Sequence, residues 1–472
     1  MSVLFLAATL LTYYAFNRLI LHSFFGSGDE HSSYFLADCI RQGKLWATPH
    51  PLPDFFEVVH IGNKAGKWFS VYPPGWPAIW AIGLKLNITN WLNPLLASIS
   101  FVFFYRAVKK LFGFVPAYLG LVLMCFTPFF IFNHAAYFSH STAMLTISIF
   151  LFTYLKWFET RSPAWSVLCA FAIGYGLGTR YLTIAGLVAP FLLYRFVRIL
   201  LRKDRWDNSY LVFLIVLSFM MFLNLYFNFL ITGNFFDAPN HYHHRWEHLG
   251  FQDDYTLVDA LYFVIARFFF LMDWFPPAFI VLYLFSLFRP EKRNPDQLLF
   301  CYGFFYLVFA YLFYYSWGGN QYGPRYYLCG IPFLTFTLAV CIRDWWRKGT
   351  NEIKKFILGL LIVAAIGNFY SLQKNARYHE VVSSERKALY DTAEQNVKRP
   401  AIVFIIGFLG DRLVMSEEDA VRNPPNLDAS ILYAHDLGEK NKLLMNYYPE
   451  RSYYRGFYDR SKKEARLEEI YA

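Results

Sequence analysis

Charged residues are scarce in this 472-residue sequence, in which Asp, Glu, Lys and Arg together make up 17%. A soluble globular domain has about 25%, whereas 56% of the residues here are hydrophobic and 21% are aromatic. This composition excludes an ordinary soluble globular protein and predicts one that spans a lipid bilayer several times. We interpret the net charge of +10 as basic loops next to anionic lipid, which excludes nucleic acid as a partner.

Cysteines, internal repeats and a cleavage signal are also scarce or missing. The six cysteines form no CxxC pair and lie mostly in apolar runs, so we expect no disulfide framework. No internal repeat is visible, which disfavours a transporter built from inverted repeats. The first apolar run, 3–25, lacks a basic start and a small-x-small cleavage site, and we interpret it as an uncleaved first helix.

About eleven apolar runs are long enough to cross a bilayer, which takes about 20 residues. They are 3–25, 91–111, 113–133, 140–158, 164–179, 181–200, 209–231, 273–289, 297–316, 325–343 and 354–371.

Two long apolar stretches need a break. A single helix over 164–200 would measure about 55 Å at 1.5 Å per residue, against a hydrocarbon core of about 30 Å. We expect the chain to fold back there, near three glycines (174, 176 and 178) and the pair Thr179-Arg180. The break from Asp273 to Pro277 should likewise separate an interfacial or re-entrant helix, 256–272, from the span 273–289.

The loops between the runs alternate in charge. Lys and Arg collect in every second loop, and the positive-inside rule places those loops in the cytoplasm. The N-terminus is then cytoplasmic, and the long loop 26–90 is extracytoplasmic, as are residues 373–472. We expect a protein of the inner (cytoplasmic) membrane.

The predicted fold is an all-α polytopic membrane protein with two parts outside the bilayer. The membrane domain covers 1–372 and includes the first extracytoplasmic loop, 26–90, with a helix over about 31–43. Residues 373–472 form a small extracytoplasmic α/β domain, because short β-like runs occur at 402–406 and 431–434.

A pair of acids follows the first span directly. Burial of Asp29 or Glu30 at the end of an apolar helix is expected to raise its pKa and suit it to general base catalysis. The alternative is that both acids cap the helix that begins here, since acids favour helix N-termini.

Two arginines lie at helix mouths on the same face. The guanidinium groups of Arg325 and Arg180 suit a phosphate. The alternative for each is snorkelling to the interface. With a carboxylate on the same face, they indicate a base beside a cationic phosphate site.

Histidines cluster between 241 and 248, with His244 and His248 four residues apart. The cluster lacks the HExxH arrangement of zinc enzymes, so we expect no cofactor, although it leaves a divalent metal as an open alternative. We favour contact with substrate, and the residues expected to make such contacts are His31, Tyr72, His134, His140, Tyr181, His243, Gln321 and Tyr326.

Four motifs occur in order along the chain: GDE at 28–30, YPPGWP at 72–77, GTRY at 178–181 and YGPRY at 322–326. In these residues the chain resembles GT-C glycosyltransferases, of the branch that includes the dolichyl-phosphate-mannose protein mannosyltransferases, the lipid A aminoarabinose transferases and bacterial proteins like glycosyltransferase family 39. The stretches 428–433, 441–442 and 449–451 resemble the tail of bacterial members.

The resemblance implies a GT-C fold and an inverting enzyme that moves a sugar from a polyprenyl-phosphate donor to an extracytoplasmic glycan or lipid acceptor. It implies that Asp29 is the general base and that Glu30 binds the acceptor or orients the base. Arg325 and Arg180 would hold the donor phosphate. The related mannosyltransferases carry a luminal domain inserted mid-chain that is not visible here, so a protein acceptor is not implied.

Two other functions remain open. A transporter or flippase of lipid-linked glycans or isoprenoid lipids would also use outer cations and aromatic grooves, but transporters place ionisable groups near the midplane. A degenerate scaffold with a binding role is the other alternative, and an Asp29→Asn protein that still functions would support it.

Overall fold

The computed structural model describes residues 2–242, 248–252, 254–287, 293–316, 318, 321–406, 421–459 and 461–470. Its helices are α1 (Val3–Leu19), α2 (Gly28–Arg41), α3 (Gly75–Leu86), α4 (Thr89–Phe112), α5 (Phe114–Cys125), α6 (Pro128–Ala135), α7 (His140–Thr160), α8 (Pro163–Leu200), α9 (Asn208–Thr232), α10 (Leu257–Met272), α11 (Pro277–Leu287), α12 (Pro295–Cys301), α13 (Gly303–Ala310), α14 (Ile331–Lys348), α15 (Asn351–Asn396) and α16 (Asn441–Tyr447). Its strands are β1 (Ile61–Lys64), β2 (Lys67–Ser70), β3 (Ala401–Ile405), β4 (Ile431–His435), β5 (Ser452–Asp459) and β6 (Glu464–Ile470).

Helix α14 forms the centre of the helical bundle. Its residues are buried from Ile331 to Ile342, as expected of an apolar helix that is surrounded by other helices. Glycines allow the neighbours to approach closely, because a Cβ on Gly120 of α5 would lie 2.1 Å from Phe336, and one on Gly303 would lie 2.2 Å from Phe333. The bundle core is therefore closely packed around α14.

Five helices of the described part are long and apolar enough to cross a membrane, or up to seven if each bent pair counts as one span. The predicted number of eleven is not confirmed, because several apolar runs are broken or short. Helices α5 and α6 meet at 72°, and the segments Pro295–Cys301 and Gly303–Phe313 meet at 52°. Helices α1 and α11 have only 17 and 11 residues.

Helix α8 folds back on itself, as the sequence predicted. Its 38 residues are interrupted at Arg180, whose φ of −148° and ψ of 80° are not helical. A straight helix of this length would separate its ends by about 57 Å. Instead Arg161, before the helix begins, is paired with Asp204, after it ends. The two halves therefore run side by side, and Arg180 lies at the turn.

The second predicted break is also confirmed. Helix α10 ends at Met272 and α11 begins at Pro277, so the apolar stretch divides at the Pro-Pro pair, which cannot continue a helix.

The first loop and the C-terminal region share one hydrophobic core on a single face of the bundle, which we call the loop face. The C-terminal sheet has the order β4-β3-β5-β6, with β3 parallel to β4 and β5, and β6 antiparallel. The β-like runs predicted at 402–406 and 431–434 are β3 and β4. Buried residues of the sheet, such as Phe404, belong to the same cluster as Phe35 and Trp68 of the loop.

The boundaries on this face differ in detail from the prediction. Helix α2 begins at Gly28, three residues before the predicted start, because Ser27 caps it and accepts a hydrogen bond from Glu30 N at 3.4 Å. Helix α15 is continuous across residue 372, and the division of the chain there stays a prediction.

Candidate active site

The two acids after the first span lie in the first turn of α2, where the N–H groups and the helix dipole favour negative charge. Their side chains enter different surroundings. Asp29 is 26% exposed and lines a cavity, whereas Glu30 is 1% exposed and does not line it.

The carboxylate of Asp29 is contacted on both oxygens. Arg325 Nη2 donates to its Oδ2 at 3.0 Å, and the Tyr72 hydroxyl donates to its Oδ1. His60 Nε2 lies 3.8 Å from the same Oδ1. Asp29 and Arg325, which are 296 positions apart in the chain, are therefore brought into one ion pair.

The expected rise in the pKa of Asp29 is wrong. Burial raises this pKa, but the positive charge of Arg325, that of His60 when its imidazole is protonated, and the hydrogen bonds from Tyr72 and Arg325 outweigh burial and hold it well below the usual value. Asp29 is therefore a carboxylate at every physiological pH.

Glu30 binds the main chain on two sides. Its Oε1 accepts from Tyr137 N at 2.6 Å, and its Oε2 accepts from Gly26 N at 2.6 Å. Burial raises the pKa of Glu30 to about 7, although both N–H groups oppose this shift. Its position differs from the expected contact with the acceptor, because the carboxylate is enclosed between two backbone segments.

A cavity of about 310 Å³ opens on the loop face beside Asp29. All four motifs contribute to its walls, although they are far apart in the chain. The predicted residues that line it are Asp29, Tyr72, Arg180, Tyr181, Gln321, Arg325 and Tyr326.

Aromatic rings support both arginines of the cavity. The guanidinium carbon of Arg180 lies 5.6 Å from the centre of the Tyr326 ring, and that of Arg325 lies 4.0 Å from the Phe138 ring. Such rings attract a cation and restrict its movement. Arg180 also donates from Nη1 to Ser139 Oγ at 3.3 Å.

The motifs YPPGWP and GTRY contact each other directly. A Cβ on Gly75 would lie 2.2 Å from Thr179 Oγ1, so only glycine permits this approach. The Tyr175 hydroxyl donates to Gly75 O at 2.7 Å. The contact places Tyr72 and Arg180 on the same cavity.

Several cavity residues were missed by the sequence analysis, namely Ser27, Ser33, Val59, His60, Phe138, Ser139, Tyr311, Tyr314 and Ser316. His60 is the most informative, because it faces Asp29. It lies outside the four motifs, in an irregular part of the loop where periodicity gives no signal.

Three predicted histidines are buried and do not line the cavity. His31, His134 and His140 are each at most 2% exposed. His134 Nδ1 is 2.8 Å from Ser141 Oγ, and its ring stacks on Tyr13. Their placement differs from the expected contact with substrate, because these rings pack inside the protein. His243 lies outside the described residues.

Among the described residues, no group of three or more His, Cys, Asp or Glu side chains has the arrangement of a metal site. His243 and His244 are not among them, so the expectation of a reaction without cofactor stays a prediction.

No protein-family model and no curated protein sequence matches the chain. Several solved structures, however, match the chain. The crystal structure of ArnT from Cupriavidus metallidurans bound to undecaprenyl phosphate matches with a TM-score of 0.55 and 14% identity, over 96% of this chain and 92% of that chain. Its apo state gives 0.55 and 14%, over 95% and 88%.

The crystal structure of the Archaeoglobus fulgidus oligosaccharyltransferase in complex with zinc and sulfate is also similar. The TM-score is 0.50 at 13% identity, over 90% of this chain and 62% of that chain. At these identities the likeness shows the fold alone. The chain is a membrane protein with the GT-C fold, as its four motifs predicted.

Proposed function

We propose that the chain is an inverting glycosyltransferase, which moves a sugar from a polyprenyl-phosphate donor to a hydroxyl group of a glycan or lipid acceptor. We place the reaction on the extracytoplasmic side of the inner membrane. The observation that carries the proposal is one cavity with Asp29, Arg325 and Arg180 on its walls. The fold adds support, because ArnT has it and binds undecaprenyl phosphate in its crystal structure.

The charges of the cavity suit a phosphate. Arg325 is paired with Asp29, whereas Arg180 contacts a serine hydroxyl and tyrosine groups and no carboxylate within the described residues. One positive charge therefore remains for a ligand. A guanidinium group held in place by aromatic rings binds phosphate oxygens by charge-assisted hydrogen bonds.

The reaction step balances without an added reagent. The acceptor oxygen forms a bond to the anomeric carbon from the face opposite the phosphate, and its proton passes to Asp29. The bond between the anomeric carbon and the phosphate oxygen breaks, and its electron pair leaves with the polyprenyl phosphate. Arg180 and Arg325 stabilise the negative charge that develops there, which is worth several kcal/mol in a preorganised site.

Donor binding would also change the base. A donor phosphate at Arg325 competes with Asp29 for the same guanidinium group. Because Arg325 lowers the pKa of Asp29, sharing it raises the proton affinity of the carboxylate only while the donor is bound. Asp29 is therefore a stronger base when a donor is bound, and it stays unprotonated when the cavity holds no donor.

The test is donor turnover by the purified full chain in lipid nanodiscs. A panel of polyprenyl-phosphate sugars is supplied with crude glycan and lipid acceptors, and release of free polyprenyl phosphate is measured. The variants are Asp29→Asn and, as a matched control, Asp54→Asn, which changes an exposed carboxylate of the same loop.

We expect release by wild type and by Asp54→Asn, and a 10²- to 10⁴-fold loss in Asp29→Asn, the usual range for a general base. No release from any donor by folded wild type would overturn the enzyme and favour a transporter, which moves the lipid without cleaving it. Equal release by all three proteins would support the proposed enzyme activity but show that Asp29 is not its base.

A further inference from the structure

The carboxylate of Asp29 faces a histidine that belongs to none of the motifs. His60 lines the same cavity as Asp29, and its Nε2 lies 3.8 Å from Asp29 Oδ1. This gap is about 1 Å longer than a hydrogen bond, and a small ring movement or one bridging water closes it.

The backbone at His60 has a conformation that is costly for this residue. Its φ is +70°, a region in which residues with a side chain are uncommon. The carbonyl of His60 accepts hydrogen bonds from Ser32 Oγ at 2.5 Å and from Val71 N at 3.1 Å. Strained residues held by such contacts concentrate at functional sites.

The imidazole ring has close neighbours in the first two motifs. A Cβ on Gly28 would lie 3.0 Å from His60 Cδ2, so glycine at this position leaves room for the ring. The Tyr72 ring lies 5.4 Å away on another side, and its hydroxyl donates to Asp29. The first motif, the second motif and His60 therefore form one assembly around the carboxylate.

The Asp29 carboxylate alone holds a proton only weakly. Arg325 and Tyr72 each donate to one of its oxygens, and these contacts favour the ionised form. A proton that reaches Asp29 during the reaction must pass to a better acceptor before the next turnover. Neutral imidazole is such an acceptor at physiological pH.

We propose that His60 forms a catalytic pair with Asp29 and takes up the proton that the acceptor hydroxyl releases. The inference rests on the proposed function and names a second proton carrier for it. As the acceptor oxygen bonds to the anomeric carbon, its proton moves to Asp29 Oδ1 and then to His60 Nε2. Asp29 is again a carboxylate, and the imidazolium loses its proton to water after the polyprenyl phosphate leaves.

The pair predicts a dependence on pH. The charged and titratable groups that face His60 include Asp29 of α2 and Tyr72, with Arg325 behind Asp29. A histidine that is already protonated cannot accept the proton, so turnover of wild type should fall as the pH decreases through the imidazole range.

The experiment uses the full chain in nanodiscs with the donor of the panel that wild type turns over. kcat and KM are measured from pH 5 to 9, and binding of undecaprenyl phosphate is measured separately. The main variant is His60→Asn, because asparagine tolerates a positive φ. The matched control is His50→Gln, a histidine of the same loop that packs on Tyr447 and Tyr448 instead.

We expect His60→Asn to lower kcat about 100-fold with KM and undecaprenyl phosphate binding within about twofold, and to abolish the decline at low pH. Gly28→Ala keeps the imidazole but displaces its ring, so kcat should fall less than in His60→Asn. The proposal is overturned if His60→Asn keeps kcat within threefold and retains the decline, or if KM and binding deteriorate as much as kcat. In either case, donor turnover by wild type would still support the proposed function.

Discussion

Two clusters of arginine and aspartate lie at opposite ends of the bundle, and α8 contributes to both. The site cluster is Asp29, Arg180 and Arg325. The anchoring cluster is Arg161, Arg195, Arg198, Asp204 and Asp296. Helix α7 runs from one cluster to the other. Ser139, just before this helix, contacts Arg180, and Arg161, just after it, contacts Asp204. The 21 residues of α7 span about 30 Å.

The clusters differ in how their charges are compensated. In the anchoring cluster, Arg195 Nη2 donates to both oxygens of Asp296 at 2.8 Å, and Asp204 lies within 3.7 Å of Arg195 and Arg198. In the site cluster, Arg180 contacts no carboxylate among the residues that the structure describes. The paired charges of the anchoring cluster hold helices together, whereas Arg180 keeps the positive charge that the proposed function assigns to the donor phosphate.

The largest expected effect is on the anchoring cluster. Arg195→Gln removes the guanidinium group that donates to both oxygens of Asp296, and loss of one member of a buried pair costs about 3–5 kcal/mol. We expect a lower free energy of unfolding, measured by denaturation in detergent, with turnover per folded molecule unchanged. Equal loss of turnover in the folded fraction would refute the division of labour between the clusters.

The next effect concerns Glu30, which lies beside the site cluster. Its pKa is about 7 in the folded protein, against about 4.3 for an unperturbed glutamate. The folded state therefore binds more protons between these values, and stability is present at low pH and is lost as the pH rises through 7. Between pH 5 and pH 8 the loss is about 3 kcal/mol. Asp29, whose pKa is lowered, stays ionised across pH 5–8 in both states, so its contribution to stability is constant there.

The measurement for Glu30 is thermal unfolding at pH 5 and pH 8 for wild type and Glu30→Gln. The difference between the two pH values should shrink in the variant. An unchanged difference would show that another group carries the dependence on pH.

A third effect separates the clusters by activity. Arg180→Gln removes the uncompensated charge of the site cluster, so we expect about a 100-fold loss of turnover, equivalent to about 2.7 kcal/mol. Folding stability should be unaffected, because no carboxylate of the described part loses a partner. A large drop in unfolding temperature would place Arg180 with the anchoring charges instead.

The smallest expected effect is on the support of α2. Arg386 Nη1 donates to Gly26 O at 2.6 Å, three residues before Asp29, so Arg386→Ala should reduce kcat about tenfold by loosening the start of the helix. Arg386→Lys should recover part of this loss. Arg377→Ala, an exposed change on the same helix α15, is the control and should have no effect on kcat.

The sequence predicted features that depend on local pattern. The turn at Arg180 follows from a length limit, and strands β3 and β4 follow from short β-rich runs. Asp29 and Arg325 were each identified from a motif, and their positions at helix mouths predicted that they share a face. The roles given to them stay predictions.

Features set by tertiary contacts were not accessible in this way. The direction of the pKa shift of Asp29 depends on Arg325, which is nearly 300 positions away. His60 was missed because its position results from an irregular loop. Burial of His134 and His140 was missed because neighbouring helices cover these helix ends, as Tyr13 and Phe101 cover His134. The number of spans was missed because a bend within an apolar run leaves hydropathy unchanged.

The core shared by the first loop and the C-terminal sheet has a consequence for how the protein is made. Trp68 and Ala401 belong to one hydrophobic cluster but are 333 positions apart. At about 5–20 residues per second, a ribosome needs about 20–70 s to add that stretch. The loop with Asp29 and His60 therefore leaves the ribosome long before its packing partner exists, and the shared core can close only after the sheet of β3 to β6 has been synthesised.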